Sequence, residues 1–280
     1  MDSQLKFSVL MSVYWRERPE YLAQCLNSLV VQTVKVPEVI LVEDGPIGDG
    51  LKKIIESFKP LLNIRSVILK SNQGLASALN EGLHHCSYDL VARMDTDDIC
   101  VFDRFEKQLA FMLQHPEVSV CGGYSEEYDE KMEKSFGIRL LPLGNNQLIA
   151  FAKKRSPFSH MTVMFRKSNI LKVGGYPPLY PEDYALWSLL IVKQEKLANI
   201  PQVLVYVRSG DQLAKRRGFN FFVGEVSVFK FQREIGFLNS YEFWRNVNAR
   251  FFLRTLPVFL RRFLYKYARN IKSFCIRVSR

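Results

Sequence analysis

Two acidic clusters have the residue types and the spacing to bind a cation or the hydroxyl groups of a nucleotide. Glu43 and Asp44 directly follow one apolar run, and the acidic segment 95–98 (DTDD) follows another. Hard divalent cations take carboxylate oxygens as ligands, and the same oxygens accept hydrogen bonds from hydroxyl groups. If both runs are strands of one parallel sheet, the clusters lie at the same edge of that sheet. The pattern therefore predicts a site that binds a nucleotide through a divalent metal.

A second pair of carboxylates, Glu182 and Asp183, opens a helical pattern in the segment PEDYALWSLLI. A buried carboxylate can remove the proton of an attacking hydroxyl group, which is general-base catalysis. Adjacent residues of a helix point about 100° apart, so only one of the two can serve a given site. The alternative is that both carboxylates stabilise the positive end of the helix dipole. Spacing alone leaves both interpretations open.

The elements that position these residues follow from hydrophobic patterning. Short runs rich in Val, Ile and Leu are typical of strands buried on both faces, and helical periods separate three pairs of them. The strand-like runs cover 7–14, 38–44, 64–70, 88–95 and 118–123, and the helical periods cover 21–29, 75–83 and 105–113. This alternation predicts an α/β fold with a doubly wound, mostly parallel, Rossmann-like sheet.

Two common nucleotide-binding motifs are absent from the sequence. No GxGxxG follows the first run and no GxxxxGK[ST] occurs, which argues against dinucleotide binding of the usual Rossmann type and against P-loop phosphate transfer. The second half, from the acidic stretch 126–130 to the helical pattern at 181–191, departs from strict alternation. We interpret it as an elaboration of the same sheet.

Seven segments, taken in order, resemble glycosyltransferase family 2, and in particular its bacterial polysaccharide branch. They are FSVLMSVY, LVEDG, SNQGLASALNEGL, ARMDTDDICVFDRFEKQLAFMLQHPEVSVCGG, SHMTVMFRKS, GGY and PEDYALW. The resemblance implies a GT-A fold over residues 1–215, with a nucleotide-sugar half at 1–125 and an acceptor half at 126–215. Residues 216–280 are then a helical, basic C-terminal segment.

On the donor side, the resemblance implies that Asp97 and Asp95 hold a divalent metal, Mn²⁺ or Mg²⁺. Glu43, Asp44 and Asn72 match positions on the nucleotide side, with Glu43 replacing the commoner aspartate. For the acidic segment 95–98 the alternative is a capping cluster before a helix near Phe102, in which Asp98 is the best cap. For Asn72 the alternative is an ordinary turn. Arg93 either faces the diphosphate or forms an ion pair with a neighbouring acid.

On the acceptor side, the resemblance assigns the general base to Asp183, beside Glu182. His160 is either a contact to acceptor or phosphate, or a structural histidine. Trp187 is either part of an acceptor floor, because aromatic faces stack on sugars, or a core residue. Arg216, in a basic segment at 215–217, is expected to close over the diphosphate or to lie on the solvated surface.

The positive charge is concentrated at the C-terminal end. Of the net charge of +11, residues 243–280 contribute +10, with no Asp or Glu, and the remaining residues contribute +1. Basic and aromatic residues alternate over 241–271, with a break expected at Pro257, and this pattern suits the surface of an anionic membrane. The alternative is that these helices pack back on the catalytic domain. A near-neutral body argues against nucleic acid as a partner.

The five cysteines are scattered without metal-ligand spacing, which indicates free thiols in a reducing cytoplasm. No signal peptide is evident, and no uncharged apolar run approaches the ~20 residues that span a bilayer. We expect a cytoplasmic protein, peripheral on the inner face of the cytoplasmic membrane.

The function predicted from sequence is inverting transfer of one sugar from a nucleotide-diphosphate sugar, with uridine as the expected base, to a lipid-linked or oligosaccharide acceptor. Two other classes stay open: a sugar-nucleotide nucleotidyltransferase, and a non-enzymatic basic protein that binds membrane or nucleic acid. The first would require a Gly-rich loop near the N-terminus, where SVYWRERPEY has none.

Overall fold

The computed structural model describes residues 6–209 and 219–255 of the chain. The strands are β1 (Phe7–Val13), β2 (Glu38–Glu43), β3 (Ile64–Ile68), β4 (Leu90–Arg93), β5 (Ile99–Cys100), β6 (Val118–Tyr128), β7 (Ser135–Arg139), β8 (Met164–Arg166) and β9 (Lys196–Arg208). The helices are α1 (Pro19–Val30), α2 (Asp49–Phe58), α3 (Leu75–His85), α4 (Arg104–Gln114), α5 (Asn145–Ala152), α6 (Lys167–Lys172), α7 (Glu182–Val192), α8 (Phe219–Glu234) and α9 (Ser240–Thr255), with a 3₁₀ turn at His160–Thr162.

One sheet contains all nine strands. Its order is β3-β2-β1-β4-β8-β6-β9-β5, and β7 pairs with β6. Strands β1 to β4 are parallel, whereas β8 runs antiparallel to both of its neighbours. The parallel α/β sheet predicted for the first half is confirmed, and the second half elaborates the same sheet. The carboxyl ends of β1, β2 and β4 meet at one edge, where the acidic clusters lie.

Each face of the sheet is covered by a hydrophobic layer. Along β1, Val9 and Met11 belong to one layer and Leu10 to the other, and all three side chains are fully buried. A strand with apolar residues on both faces reads as a continuous apolar run, which is why these strands are visible in the sequence.

Three local features differ from the sequence interpretation. Helix α2 is an additional element, which buries Leu51 and Ile55 and packs the partly buried Ile54 and Phe58 against the same core. Strand β6 continues through the acidic stretch to Tyr128, because this part of the strand pairs with β7 on one side and β9 on the other. Helix α4 begins at Arg104, not near Phe102, and its N-terminal flanking residue is Asp103.

The described part of the C-terminal segment packs on the α/β part of the chain. Val228 and Phe229 of α8 and Phe243 of α9 are buried in the same hydrophobic layer as α7. Gln232 Nε2 donates a hydrogen bond of 2.7 Å to Ser188 Oγ in α7. One face of α9 therefore packs on the rest of the protein, and another face is exposed to solvent. Residues 256–280, including Pro257, lie outside the described residues. In the part of the chain that the structure describes, no helix is long and apolar enough to cross a membrane.

A fully buried arginine, Arg104, supports the turn that follows β4. Its Nη2 donates hydrogen bonds to the carbonyl oxygens of Arg93 (2.8 Å) and Val163 (3.3 Å), and its Nε donates to Gln108 Oε1 (2.9 Å). Removal of this side chain would take away its hydrogen bond to the Arg93 carbonyl oxygen and would leave the buried Gln108 Oε1 without this donor.

We expect Arg104→Met to lower the free energy of unfolding by about 3 kcal/mol, because the buried hydrogen bonds that Arg104 donates to the Arg93 carbonyl oxygen and to Gln108 Oε1 are lost. Lys53→Met, on the exposed side of α2, is the matched control and should change it by less than about 0.5 kcal/mol. Urea unfolding of both variants measures the difference. Equal stabilities would show that Arg104 is dispensable for the fold.

Candidate functional site

The turn between β4 and β5 gathers three carboxylates. Oxygen atoms of Asp95, Asp97 and Asp98 all lie within 4.8 Å of one another. Burial, together with the charges of Asp95 and Glu17, raises the pKa of Asp97 to about 7. Concentrated, poorly compensated negative charge on oxygen donors fits a hard divalent cation. The sequence prediction that these residues converge at a strand end is confirmed, whereas metal binding by Asp95 and Asp97 stays a prediction.

The turn is held from outside by Arg208, the last residue of β9. Its backbone N–H donates to Asp98 Oδ1 (2.9 Å), its Nε donates to the carbonyl oxygen of Asp97 (2.7 Å), and its guanidinium lies 4.1 Å from the centre of the Tyr21 ring. The interpretation of Asp98 as a helix cap is therefore wrong, because its carboxylate bonds to β9. Sequence analysis missed Arg208, and no local spacing signals a contact over 111 residues.

The loop after β2 forms the neighbouring part of the site. Asp44 accepts hydrogen bonds from the backbone N–H groups of Gln73 (2.7 Å) and Gly74 (3.1 Å), and Asn72 Nδ2 donates to the Asp44 carbonyl oxygen (3.2 Å). Glu43 ends β2 and is buried. The structure thus brings these predicted residues to the same edge as the acidic turn. Their contact with a nucleotide stays a prediction.

Gly45 is required by the shape of this loop. It has φ of +85°, and a Cβ atom at this position would lie 2.6 Å from the backbone nitrogen of Asn72. Only glycine adopts that conformation at such close range without strain. The LVEDG turn therefore joins the end of β2 to the loop before α3.

Arg93 connects the two halves of the site. Its buried guanidinium forms an ion pair with Asp95. The alternative prediction, an ion pair between Arg93 and a neighbouring acid, is therefore confirmed. Burial disfavours its charge, but Asp95, Tyr176 and Glu182 outweigh burial and raise its pKa. A fixed cation thus faces the acidic turn on one side and the N-terminus of α7 on the other. Contact with a diphosphate stays a prediction.

The two carboxylates at the start of α7 have different neighbours. Ser156 Oγ donates a hydrogen bond of 3.0 Å to Asp183 Oδ2, whereas Glu182 Oε1 lies 3.7 Å from His160 Nδ1. Burial raises the pKa of both groups, and the charge of Asp183 helps to raise that of Glu182 to about 7. A carboxylate whose pKa is shifted towards neutrality is suited to accept a proton.

The His160 ring is largely enclosed, with 10% of its side chain exposed. Burial and the charge of Arg93 lower its pKa well below the usual range, and its Nε2 lies 3.0 Å from the hydroxyl oxygen of Tyr176. Tyr176 is in turn fixed by the side chain of Asn80, which bonds both its backbone N–H (2.7 Å) and its carbonyl oxygen (2.9 Å). Sequence analysis did not identify Tyr176 as a site residue. Asn80 joins α3 to the loop that contains Tyr176.

Two acceptor-side interpretations have different outcomes. Trp187 is fully buried, with its ring centre 5.1 Å from that of Phe158 and 6.0 Å from that of His160. Its interpretation as an acceptor floor is corrected, because no face of the indole is open to stack on a sugar. Arg216 and the rest of the basic segment 215–217 lie outside the described residues.

Comparison with known proteins identifies the family. Residues 8–173 match the model described as Glycosyl transferase family 2.

The chain belongs to this family. This glycosyltransferase is 42% identical to the amylovoran biosynthesis glycosyltransferase AmsE of Erwinia amylovora, over 94% of this chain and 99% of that protein. It is 37% identical to the UDP-Gal:alpha-D-GlcNAc-diphosphoundecaprenol beta-1,3-galactosyltransferase of Escherichia coli, over 95% and 97% of the two chains.

A solved structure supports the fold. The mannosyltransferase PcManGT of Pyrobaculum calidifontis, in complex with GDP-Man and Mn²⁺, superposes with a TM-score of 0.63 at 16% identity, over 87% of this glycosyltransferase and 68% of that chain. The predicted GT-A fold is confirmed.

Proposed function

We propose that this glycosyltransferase moves one sugar from a UDP-sugar to a lipid-linked saccharide in bacterial surface polysaccharide synthesis, with inversion at the anomeric carbon. The relative from Escherichia coli has a UDP-sugar and a diphosphoundecaprenol saccharide in its name, and the relative from Erwinia amylovora is named for polysaccharide synthesis. The observation that carries the proposal is that buried Arg93 lies between two clusters of carboxylates, one that contains Asp95 and one that contains Glu182.

On the donor side, Asp97 and Asp95 are proposed to hold Mn²⁺ or Mg²⁺, and Glu43, Asp44 and Asn72 to contact the nucleoside. A bound divalent cation would stabilise the negative charge that develops on the leaving diphosphate. The clustered oxygens of the acidic turn support this assignment. Arg93 adds a fixed positive charge at the same edge of the sheet.

On the acceptor side, Asp183 is proposed to accept the proton of the attacking hydroxyl group. Ser156 orients its carboxylate, and burial raises its pKa, so that it competes better for that proton at neutral pH. One base opposite the leaving group implies a single displacement, which inverts the anomeric centre. Glu182 and His160 are proposed to contact the acceptor or to position Arg93.

The proposed place of action is the inner face of the cytoplasmic membrane, where a lipid-linked acceptor is presented. Residues 241–280 are proposed to bind its anionic surface, and Arg216 to close over the diphosphate. The excess of basic over acidic residues in the C-terminal segment supports the first assignment.

A panel of sugar nucleotides tests the donor proposal. With Mn²⁺ or Mg²⁺, we expect at least one UDP-sugar to be hydrolysed slowly and to be consumed faster when a diphospholipid-linked saccharide is added, with UDP released. The preparation without metal is the control. Release of pyrophosphate from a nucleoside triphosphate and a sugar phosphate would instead identify the nucleotidyltransferase alternative.

A further inference from the structure

One end of the hairpin formed by α8 and α9 carries a continuous aromatic surface. The rings of Phe219 and Phe222 have centres 5.8 Å apart, Phe222 and Phe251 are also 5.8 Å apart, and Phe251 and Phe252 are 6.0 Å apart. Tyr180, just before α7, extends this surface through a ring contact of 5.7 Å with Phe221. We call the surface formed by Tyr180, Phe219, Phe221, Phe222, Val223, Phe251 and Phe252 the aromatic end.

The aromatic end is open to solvent. Phe252 is 69% exposed, Phe219 is 59% exposed and Tyr180 is 57% exposed. Phe219, Phe222 and Val223 are three and four residues apart, so they share one side of α8. A contiguous set of large exposed apolar side chains marks an interaction site, whereas scattered ones do not.

The charges around the aromatic end favour an anionic partner. By sequence, residues 219–255 contain three acids: Glu225, Glu234 and Glu242. Glu225 lies close to this end but is buried and paired with Arg250 (3.1 Å) and Arg254 (2.9 Å). Glu234 ends α8 and Glu242 begins α9, at the opposite end of a hairpin about 24 Å long.

The chain on both sides of the aromatic end is basic. The segment 210–218 precedes Phe219 directly, and the segment 256–280 follows Thr255 directly. Together they carry ten basic residues and one acid, Asp211; the basic residues are Lys215, Arg216, Arg217, Arg261, Arg262, Lys266, Arg269, Lys272, Arg277 and Arg280. Exposed aromatic rings between basic segments match the chemistry of a bilayer with anionic headgroups.

We propose that the aromatic end inserts into the headgroup region of an anionic lipid bilayer and thereby sets the distance of the active site from the membrane. Tyr180 is followed by Pro181, Glu182 and Asp183, and a Cβ atom on Gly224 of α8 would lie 2.5 Å from the Tyr180 carbonyl oxygen. The membrane surface and the candidate base are therefore joined by a short, closely packed segment. The inference deepens the proposed function and depends on it only for the lipid-linked acceptor.

Co-sedimentation of the full chain with lipid vesicles tests the proposal. The vesicles contain phosphatidylethanolamine with phosphatidylglycerol, and vesicles of phosphatidylcholine alone are compared. We expect the double variant Phe219→Ser, Phe252→Ser to partition about tenfold less into anionic vesicles, since two apolar anchors are lost. Phe219→Leu with Phe252→Leu, which keeps apolar side chains, should restore most of the binding.

Trp244→Ser provides the matched control. Trp244 is 58% exposed and lies on the same side of α9 as Phe251, but seven residues, or about 10 Å, towards the other end. The partition of the Trp244→Ser variant into anionic vesicles should stay within about twofold of that of the unchanged chain if only the aromatic end inserts. An equal loss with Trp244→Ser would overturn the proposal in favour of α9 lying flat on the membrane.

Two further outcomes would also overturn it. The double serine variant could partition like the unchanged chain, or it could convert a dimer into a monomer, which would identify a second copy as the occupant. Transfer to a soluble acceptor without a long lipid should be the same in the double variant and the unchanged chain. Failure of the proposed transferase function would abolish that activity in both proteins without altering the vesicle result, so the two failures are distinguishable.

Discussion

Replacing Asp97 with alanine is expected to lower the rate of sugar transfer at least about a hundredfold. Asp97 is half-buried, and burial together with the charges of Asp95 and Glu17 raises its pKa to about 7, so its negative charge is poorly compensated unless a cation binds. The variant would lose the carboxylate that we assign to a metal ligand and with it the stabilisation of the leaving diphosphate. Steady-state rates at saturating Mn²⁺ or Mg²⁺ measure the effect.

The matched control for this prediction is Glu133→Ala, which removes an exposed acid from the turn between β6 and β7. Its transfer rate should stay within about twofold of that of the unchanged protein. The unchanged protein should also lose activity in excess EDTA and regain it on addition of Mn²⁺ or Mg²⁺. Full activity in EDTA would refute the assignment of Asp95 and Asp97 as metal ligands.

Asp183→Asn is expected to lower transfer by roughly a thousandfold while the affinity for the sugar nucleotide changes little. An amide of the same shape keeps the contact with Ser156 but cannot accept the proton of the acceptor hydroxyl group. Calorimetric titration with the sugar nucleotide separates donor binding from transfer. Glu182→Gln serves as the comparison and should have the milder effect. If Glu182 proves essential and Asp183 dispensable, the base moves by one residue.

The pH dependence of transfer gives an independent measurement of the same pair. The base must be unprotonated, so the rate should fall as the pH is lowered through the raised pKa of Asp183. The charge of Asp183 raises the pKa of Glu182, so Asp183 loses its proton first and titrates while Glu182 is neutral. The acidic limb should therefore stay at the same pH in Glu182→Gln. A limb that moves to lower pH in that variant would mean that Glu182 is charged while Asp183 titrates.

The parts of the fold that could be predicted from sequence are those with a local period. Strands β1 and β2 are buried, mostly apolar runs, and the carboxyl ends of β2 and β4 place Asp44 and Asp97 at one edge. Helix α7 is apolar on almost every side, which is the signal of a buried helix and should have excluded Trp187 from an open acceptor surface.

Contacts between residues that are far apart in the chain produce no periodic pattern in the sequence. Asn80 and Tyr176 are 96 residues apart, and Arg208 lies 111 residues from Asp97. Each pair depends on the sheet order, which places β8, β6 and β9 beyond β4, and that order is a property of the whole chain. Neither residue type nor spacing could therefore reveal that Arg208 holds the acidic turn or that Tyr176 contacts His160.

The position of Arg93 makes the two substrate sides thermodynamically linked. Its charge lowers the pKa of Glu182, whereas the charge of Asp95 raises it. Cancelling the charge of Asp95 would therefore favour loss of the proton from Glu182. If a cation binds Asp95, deprotonation of Glu182 strengthens that binding by the same factor. A cation on the donor side would therefore favour loss of the proton from Glu182 on the acceptor side.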